Sequence, residues 1–389
     1  MRDAIVVGGG PAGLVAAARL AGDGLDVLVC EDHDSIGAPV HCTGVLAQEA
    51  LDTLPLPAAA VLNPLSTVRF FAPTGSSFSY TTTTVEAVVI DRLVFDQALA
   101  AFARAAGAVI RHDARVASID VDAHRVTVTL GSGEAVDARS IVLACGAAYG
   151  FQKRLGLGMP TTFLQSAQLE MPCETPGDVE VHFGSEVAPK GFAWAVPVRR
   201  PHGAHVRVGV MADGDAGQYF KRMIDRVQQR WGLCPPPAVE PRRKMLPLGA
   251  IERTYSDRVL VVGDAAGLVK PTTGGGIYYS IVSGEIASAV LASQLRRDAL
   301  DAASLAGYEA AWRKRFQPEF DAQSKLRRAA QAMRDEDIDE LFQLAHTDGI
   351  IPLVRQSAHF NRHRDLIFSL FQHGPSRRVL LRRLSRAYV

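Results

Sequence analysis

The chain holds 389 residues and carries a formal net charge of +1 at neutral pH. Hydrophobic residues make up 48% and charged residues 21%, which excludes a disordered chain and leaves room for two domains or for one domain with an insertion. The balanced charge excludes nucleic-acid binding driven by bulk electrostatics, and no run of 18 uninterrupted apolar residues offers a membrane span.

Ala4 to Gly13 reads AIVVGGGPAG, a short buried strand running into a helix. Gly8, Gly10 and Gly13 fall in GxGxxG spacing, with Pro11 and Ala12 between them. One glycine permits the sharp turn, one lets the backbone approach a pyrophosphate, and one lets the helix pack close to the strand. The helix amides then face the phosphate charges. The next strand, DVLVCE, ends in Glu31, about where a carboxylate meets an adenosine ribose. This unit predicts a dinucleotide site but does not separate a nicotinamide from a flavin.

Gly37, Pro39 and Gly44 make the following segment a loop, whose second half is expected to begin a helix. Pro55, Pro57 and Pro64 are expected to break the chain. Thr67–Phe71 and Ser77–Thr84 read as strands about a Pro73-Thr74-Gly75 turn. From Val88 a short strand leads to an amphipathic helix carrying Leu93, Leu99 and Phe102, with Asp91 as its cap. Two or three strands follow, the last ending at Ala144-Cys145-Gly146. Residues 160–250 are mostly strand, as a mainly antiparallel sheet with one helix at Tyr219–Trp231 and a proline connector at Cys234–Pro237. Arg258–Val262 is a buried strand, and a helix runs from about Gly276 to Arg296.

From residue 301 the chain is expected to be helical, with Lys325, Arg327, Arg328 and the acidic run Asp335 to Glu340 on solvated faces. Near the end, Val379, Leu380, Leu381 and Leu384 share one helical face among Arg377, Arg378, Arg382, Arg383 and Arg386. That pattern suits either an anionic lipid surface or a docked helix with a basic outer side. Cys30, Cys42, Cys145, Cys173 and Cys234 form no CxxC pair, so no metal centre is expected. Their scatter and odd number fit reduced thiols. Together with a strand that begins at Ala4, leaving no room for a signal peptide, they predict a cytoplasmic protein, with peripheral contact at the inner membrane face.

The segment RVLVVGDAAGLVKPTTGGGIY, Arg258 to Tyr278, together with the first unit, resembles FAD-dependent flavoproteins of the glutathione-reductase-type fold. The likeness is to the branch shared by aromatic hydroxylases and geranylgeranyl reductases. It implies an α/β (α+β overall) fold: an FAD-binding Rossmann domain from residues 1–65, 90–160 and 251–300, an inserted antiparallel-sheet substrate domain from 66–89 and 161–250, and a helical region over 301–389. It implies that Asp264 meets the ribityl chain and that Gly274, Gly275, Gly276 and Ile277 meet the isoalloxazine and pyrophosphate. Arg92 is implied near the FAD linker, with Asp32 and Val116 completing the cofactor set.

Three local features resemble geranylgeranyl reductases: IGAPVHCTG with Cys42 and Gly44, GFAWAVP with Phe192 and Trp194, and Gly267 where hydroxylases carry His. The resemblance implies reduction of carbon–carbon double bonds in a polyprenyl chain by hydride from flavin N5. Cys42, Phe192, Trp194 and Tyr278 are the candidate catalytic or pocket residues. Cys42 is either a proton donor or shaper of the pocket, or a buried thiol without a role. Phe192 and Trp194 either line a prenyl slot or fill core. The implied partners are a prenylated lipid or prenyl diphosphate and an electron donor, NAD(P)H or a ferredoxin-like protein. A membrane surface is a transient partner and nucleic acid is not one. The alternative is a flavin-dependent monooxygenase or halogenase acting on an aromatic or carrier-bound substrate. The missing GADG-type segment after Cys145 counts against it.

Overall fold

A computed structural model describes residues 1–51, 57–233, 240–347 and 349–382. Five parallel strands form the heart of the first sheet, in the order Val259–Val261, Ala135–Leu143, Arg2–Val7, Val27–Cys30 and Val109–Arg111. Tyr255–Ser256 adds an antiparallel edge, and the hairpin Val116–Val121/Val126–Leu130 branches from the lower half of Ala135–Leu143. The central strands are continuous apolar runs because helices cover both faces, as parallel pairing demands. The helix Pro11–Gly22 has Pro11 in its first turn, where the missing N–H has no helical partner to lose. Small residues let it lie against the helix Ile277–Arg296: a Cβ on Gly284 would sit 2.6 Å from the Ala12 carbonyl oxygen.

The second sheet has seven strands, ordered Arg242–Pro247, Phe163–Pro172, Gly203–Ala212, Phe192–Arg200, Val179–His182, Thr67–Phe71 and Ser77–Thr81. It is antiparallel except where Val179–His182 runs parallel to Thr67–Phe71. Strand alternation sends Ala193 and Ala195 toward the helix Ala216–Trp231, and Trp194, Val196 and Val198 to the opposite face. A three-stranded sheet of Val45–Ala47, Ala87–Ile90 and Val61–Leu65 bridges the two. Pro64, expected to break the chain, lies within Val61–Leu65, an edge strand where a missing N–H is tolerated. Val45–Ala47 pairs with Ala87–Val89, and the helix expected after Gly44 is described over Gln48–Leu51, residues 52–56 lying outside the described residues. Pro55 and the Cys234–Pro237 connector lie outside the described residues.

The long helix Ala302–Ala332 is anchored to the first sheet by Tyr308, whose hydroxyl donates to the Val261 carbonyl (2.7 Å), and by Trp312, whose Nε1 donates to Thr254 Oγ1 (2.9 Å). Of the two charged stretches expected to face solvent, Lys325, Arg328 and Glu336 do so, while other members are held by protein. Arg327 is 8% exposed and donates to the Lys190 and Thr272 carbonyls. On the helix Asp335–Thr347, Asp335 accepts from the Ser185 backbone N–H and hydroxyl, and Asp339 does the same for Thr74. Phe342 lies between them, 5.1 Å from Phe78 and 6.1 Å from Phe183 by ring centroids. The two carboxylates thereby satisfy loop backbones of the second sheet. The helix Gly374–Leu381 buries Val379 and Leu380, while Leu381 is exposed. Arg382 pairs with Glu340 and Asp337, while Arg383, Leu384 and Arg386 lie outside the described residues.

One buried polar cluster lies on the second sheet. Glu180 takes a two-point contact from Arg230 (2.7 Å each), and His182 Nε2–H donates to the same carboxylate (2.8 Å) while its ring stacks on Phe71. Burial would raise the Glu180 pKa, but His182 and Arg230 outweigh it and pull it down to about 2. Burial lowers the His182 pKa, keeping the ring neutral despite Glu180. Burial also takes His363 down to about 3. The unfolded chain therefore binds protons that the fold refuses. Stability is expected to fall as pH drops below about 6.5, by up to about 1.4 kcal/mol per pH unit for each such histidine, and further once free glutamate titrates near pH 4.5. Urea midpoints against pH check this, with His182→Gln losing less than the parent between pH 6.5 and 5.

Candidate active site

The carboxyl ends of the parallel strands open into a cavity of about 900 Å³. Gly8 (φ +107°) leaves the first strand so close to its neighbour that a Cβ would lie 2.4 Å from the Ala144 carbonyl oxygen. Gly13 is as constrained, 2.2 Å from the Gly8 oxygen by the same measure, and does not line the cavity. Gly10 differs: a Cβ there would meet nothing within 4 Å, because it would point into the open cavity. Gly10 also caps the helix Pro11–Gly22, so that the helix amides face the same space. Pro11 and Ala12 line it.

Glu31 is 8% exposed and accepts the Gly9 N–H (2.6 Å) on one oxygen and the His33 N–H (3.1 Å) on the other. Asp32 and Val116 complete that end of the cavity. Asp91 caps the helix Arg92–Ala105 through the Leu93 and Val94 N–H groups (3.0 and 3.2 Å), which delivers Arg92 to the cavity. Burial would lower the Arg92 pKa, but Asp96, at 2.8 Å, and the Cys42 thiol hold it above the ordinary arginine range. Cys42 lines the wall beside it, its Sγ accepting the Gly44 N–H (3.3 Å).

At the other end, Asp264 sits in the turn Gly263–Ala266, whose carbonyls are held by the Tyr149 hydroxyl (2.7 Å) and Gln152 (3.0 Å). Gly276 caps the helix Ile277–Arg296, and a Cβ on it would lie 2.5 Å from Asp264 Oδ1. Gly274, Gly276 and Ile277 line the cavity, whereas Gly275 does not. The Gly274 N–H donates to the Lys270 carbonyl (2.8 Å) and the Lys270 N–H to the Gly275 carbonyl (3.0 Å), closing the loop on itself. The Lys270 side chain runs the opposite way and donates to the Phe360 carbonyl (2.5 Å). Burial pushes its ammonium down to about 7, against the pull of Glu319 and Glu49.

Besides Gly13 and Gly275, three candidates for catalytic or pocket roles do not line this cavity. Trp194 is 8% exposed in an apolar cluster with Val196, Met211 and Leu248, and Phe192 packs 5.7 Å from it by ring centroids. Gly209 makes the seat, since a Cβ there would strike the indole at 2.3 Å. Tyr278 turns toward the long helix, where Arg315 reaches its hydroxyl at 3.4 Å. Conversely, Lys244, Arg115 and Arg154 line the cavity and carried no motif that would have singled them out, and His41 lines it from within the IGAPVHCTG loop. Glu31, Asp32 and His33 bring ligand atoms within 4.8 Å of one another, but Gly9 and His33 already engage the Glu31 oxygens.

The lycopene cyclase protein family model matches residues 3–347. The digeranylgeranylglycerophospholipid reductase of Methanocaldococcus jannaschii is 30% identical over 87% of this chain and 89% of its own length. The chain belongs to the geranylgeranyl reductase family of FAD-dependent oxidoreductases. A solved geranylgeranyl bacteriochlorophyll reductase-like protein from Thermoplasma acidophilum shares the fold of this family member with a TM-score of 0.84 at 22% identity, over 99% of this chain and 98% of that one. The halogenase PltM, solved with FAD, gives 0.66 at 15% identity, over 98% and 85%.

The residues present fit the family's cofactor. Two helix N-termini and two carboxylates, Glu31 and Asp264, face a single cavity, and the Gly10 side is left open. A Gly10→Val chain should fold with a melting temperature near that of the parent apoprotein yet retain little flavin. Flavin absorbance per chain after gel filtration, set beside the melting curve, checks this.

Proposed function

We propose that this protein is an FAD-dependent reductase that adds hydrogen across carbon–carbon double bonds of a polyprenyl chain. The observation that carries the reading is the pairing of the Gly10 and Gly276 helix starts on one cavity whose wall also holds Cys42. The name of the M. jannaschii relative, a reductase of a prenylated phospholipid, supports the substrate class. The reading divides the chain into a Rossmann-type FAD domain of the glutathione-reductase type (1–65, 90–160, 251–300), a substrate domain (66–89, 161–250) and a helical region (301–389).

In this reading the amides at Gly10 and Glu31 hold the adenosine diphosphate half of FAD, with Asp32 and Val116 at its edge. Arg92 lies by the linker. Asp264 and the Gly274–Ile277 segment hold the ribityl and ring half. Reduced FAD, when bound, supplies a hydride from N5 of its ring. Amides at the Gly276 helix start favour negative charge nearby. An isolated alkene is unreactive, so the protein must orient it and exclude water. The cluster of Trp194, Phe192, Val196 and Leu248 touches the cavity through Leu246 and supplies the apolar wall for that task. Cys42, or a water beside it, gives the proton to the second alkene carbon. The electron donor is NAD(P)H or a ferredoxin-like protein.

Among the described residues no helix is long and apolar enough to cross a membrane, and in this reading a membrane surface is a transient partner. Anaerobically reduced protein given geranylgeranyl, menaquinone-type or archaeal-type lipids should reoxidise its flavin and add the mass of one H₂ per bond. Neither reoxidation nor mass gain with any of them would overturn the reading. Cys42→Ser is expected to keep full flavin occupancy while kcat falls by roughly 100-fold, as for loss of a proton donor. Single-turnover reoxidation measures that step.

A further inference from the structure

Beneath the Cys42 loop the second sheet carries a buried ion network. Arg207 is 3% exposed; its Nε donates to Glu170 Oε2 (2.7 Å) and its Nη1 to the carbonyls of Thr43 (2.5 Å) and Ile90 (3.0 Å). Arg200 grips Glu170 with two nitrogens (2.7 and 2.9 Å) and reaches the second oxygen of Asp91, the cap of the helix that begins at Arg92. One network therefore touches two of the chain segments that bring side chains to the cavity wall, the Cys42 turn and the Ile90–Arg92 junction.

The turn is shaped around the guanidinium. Gly44 has φ +69°, and a Cβ on it would lie 2.5 Å from Arg207 Nη1 and 2.7 Å from the Ile90 oxygen. The Gly44 N–H donates to Cys42 Sγ, and its carbonyl accepts the Ile90 N–H (2.7 Å). A buried ion pair of this kind adds little net stability over an apolar pair of the same volume. Its clearer yield is geometry: a planar fork fixes several acceptors at once, which an ammonium cannot do.

We propose that Arg207 is a positioning residue for Cys42, setting through the Thr43 carbonyl the direction in which the thiol meets Arg92 and the cavity. The proposal rests on the reading that the Cys42 wall is reactive, but its test does not. The charged groups about the thiol are Arg92, with Asp96 behind it, and His41 in the same loop. Lys244 and Arg242 of the strand Arg242–Pro247 act on His41, and Arg207 stands beneath.

The test uses the full flavin-loaded chain. Arg207→Lys keeps a cation beside Glu170 and loses the fork. Iodoacetamide labelling of Cys42, resolved from the other cysteines by peptide mass, is followed against pH. The variant should label about tenfold more slowly at neutral pH, as the thiol turns away from the Arg92 guanidinium, while flavin content stays near the parent's. An unchanged labelling profile overturns the proposal. Arg200→Met leaves the Arg207 hold on Thr43 in place and should label as the parent does. If it slows Cys42 as much as Arg207→Lys does, the effect is general loosening and the proposal falls. A shifted profile beside full turnover of Cys42→Ser would support the positioning and remove Cys42 from the reaction.

Discussion

The rest of the structure depends on a contact between backbones. At Gly8 the first strand, the end of Ala135–Leu143 and the helix Pro11–Gly22 converge so tightly that any Cβ would collide with a carbonyl. Gly13 and Gly284 extend that approach along the helix, bringing Ile277–Arg296 against Pro11–Gly22. Two helices whose N-termini would otherwise point apart are thereby brought to one cavity. Glycine is unfavourable within regular structure, yet here it sets the spacing on which the site depends.

The second sheet acts on that cavity from the side. It supplies Leu246 and Lys244 directly, and it holds the Cys42 turn through Arg207. Its aromatic residues are set further back. Trp194 occupies a seat that exists because residue 209 is glycine, and the indole fills an apolar cluster, one of the two places expected for it. In the proposed reductase the alkene would meet this wall at Leu246 first.

The parallel sheet, the hairpin, the antiparallel sheet and most helix limits could be read from apolar alternation, glycines and caps, since each is a local signal. The Asp91 cap is an example, legible because Asp precedes an amphipathic run. Gly8, Gly10 and Glu31 were legible because a fingerprint fixes their spacing, and Arg92, Asp264 and Gly276 because they stand in segments that resemble the family's. Whether Trp194 and Tyr278 reach the cavity was not legible for a physical reason: alternation says that a side chain leaves one face of a strand or helix, not what packs on that face. Arg327, Asp335 and Asp339 illustrate the same gap. Their charge reads as exposure, whereas carbonyls and loop N–H groups far away in sequence absorb it. Lys244 and Arg207 stood among ordinary strand residues, and no short-range pattern marks them.

The helix Asp335–Thr347 covers the far edge of the second sheet, with Asp335 and Asp339 fastened to two separate loops and Phe342 set among Phe78 and Phe183. Both fastenings are carboxylates binding a backbone N–H and a hydroxyl of the same residue. The C-terminal region thus works as a clasp on an aromatic edge that, uncovered, would offer another molecule a row of phenylalanines beside an unpaired strand. Its value to the protein lies as much in solitude as in strength.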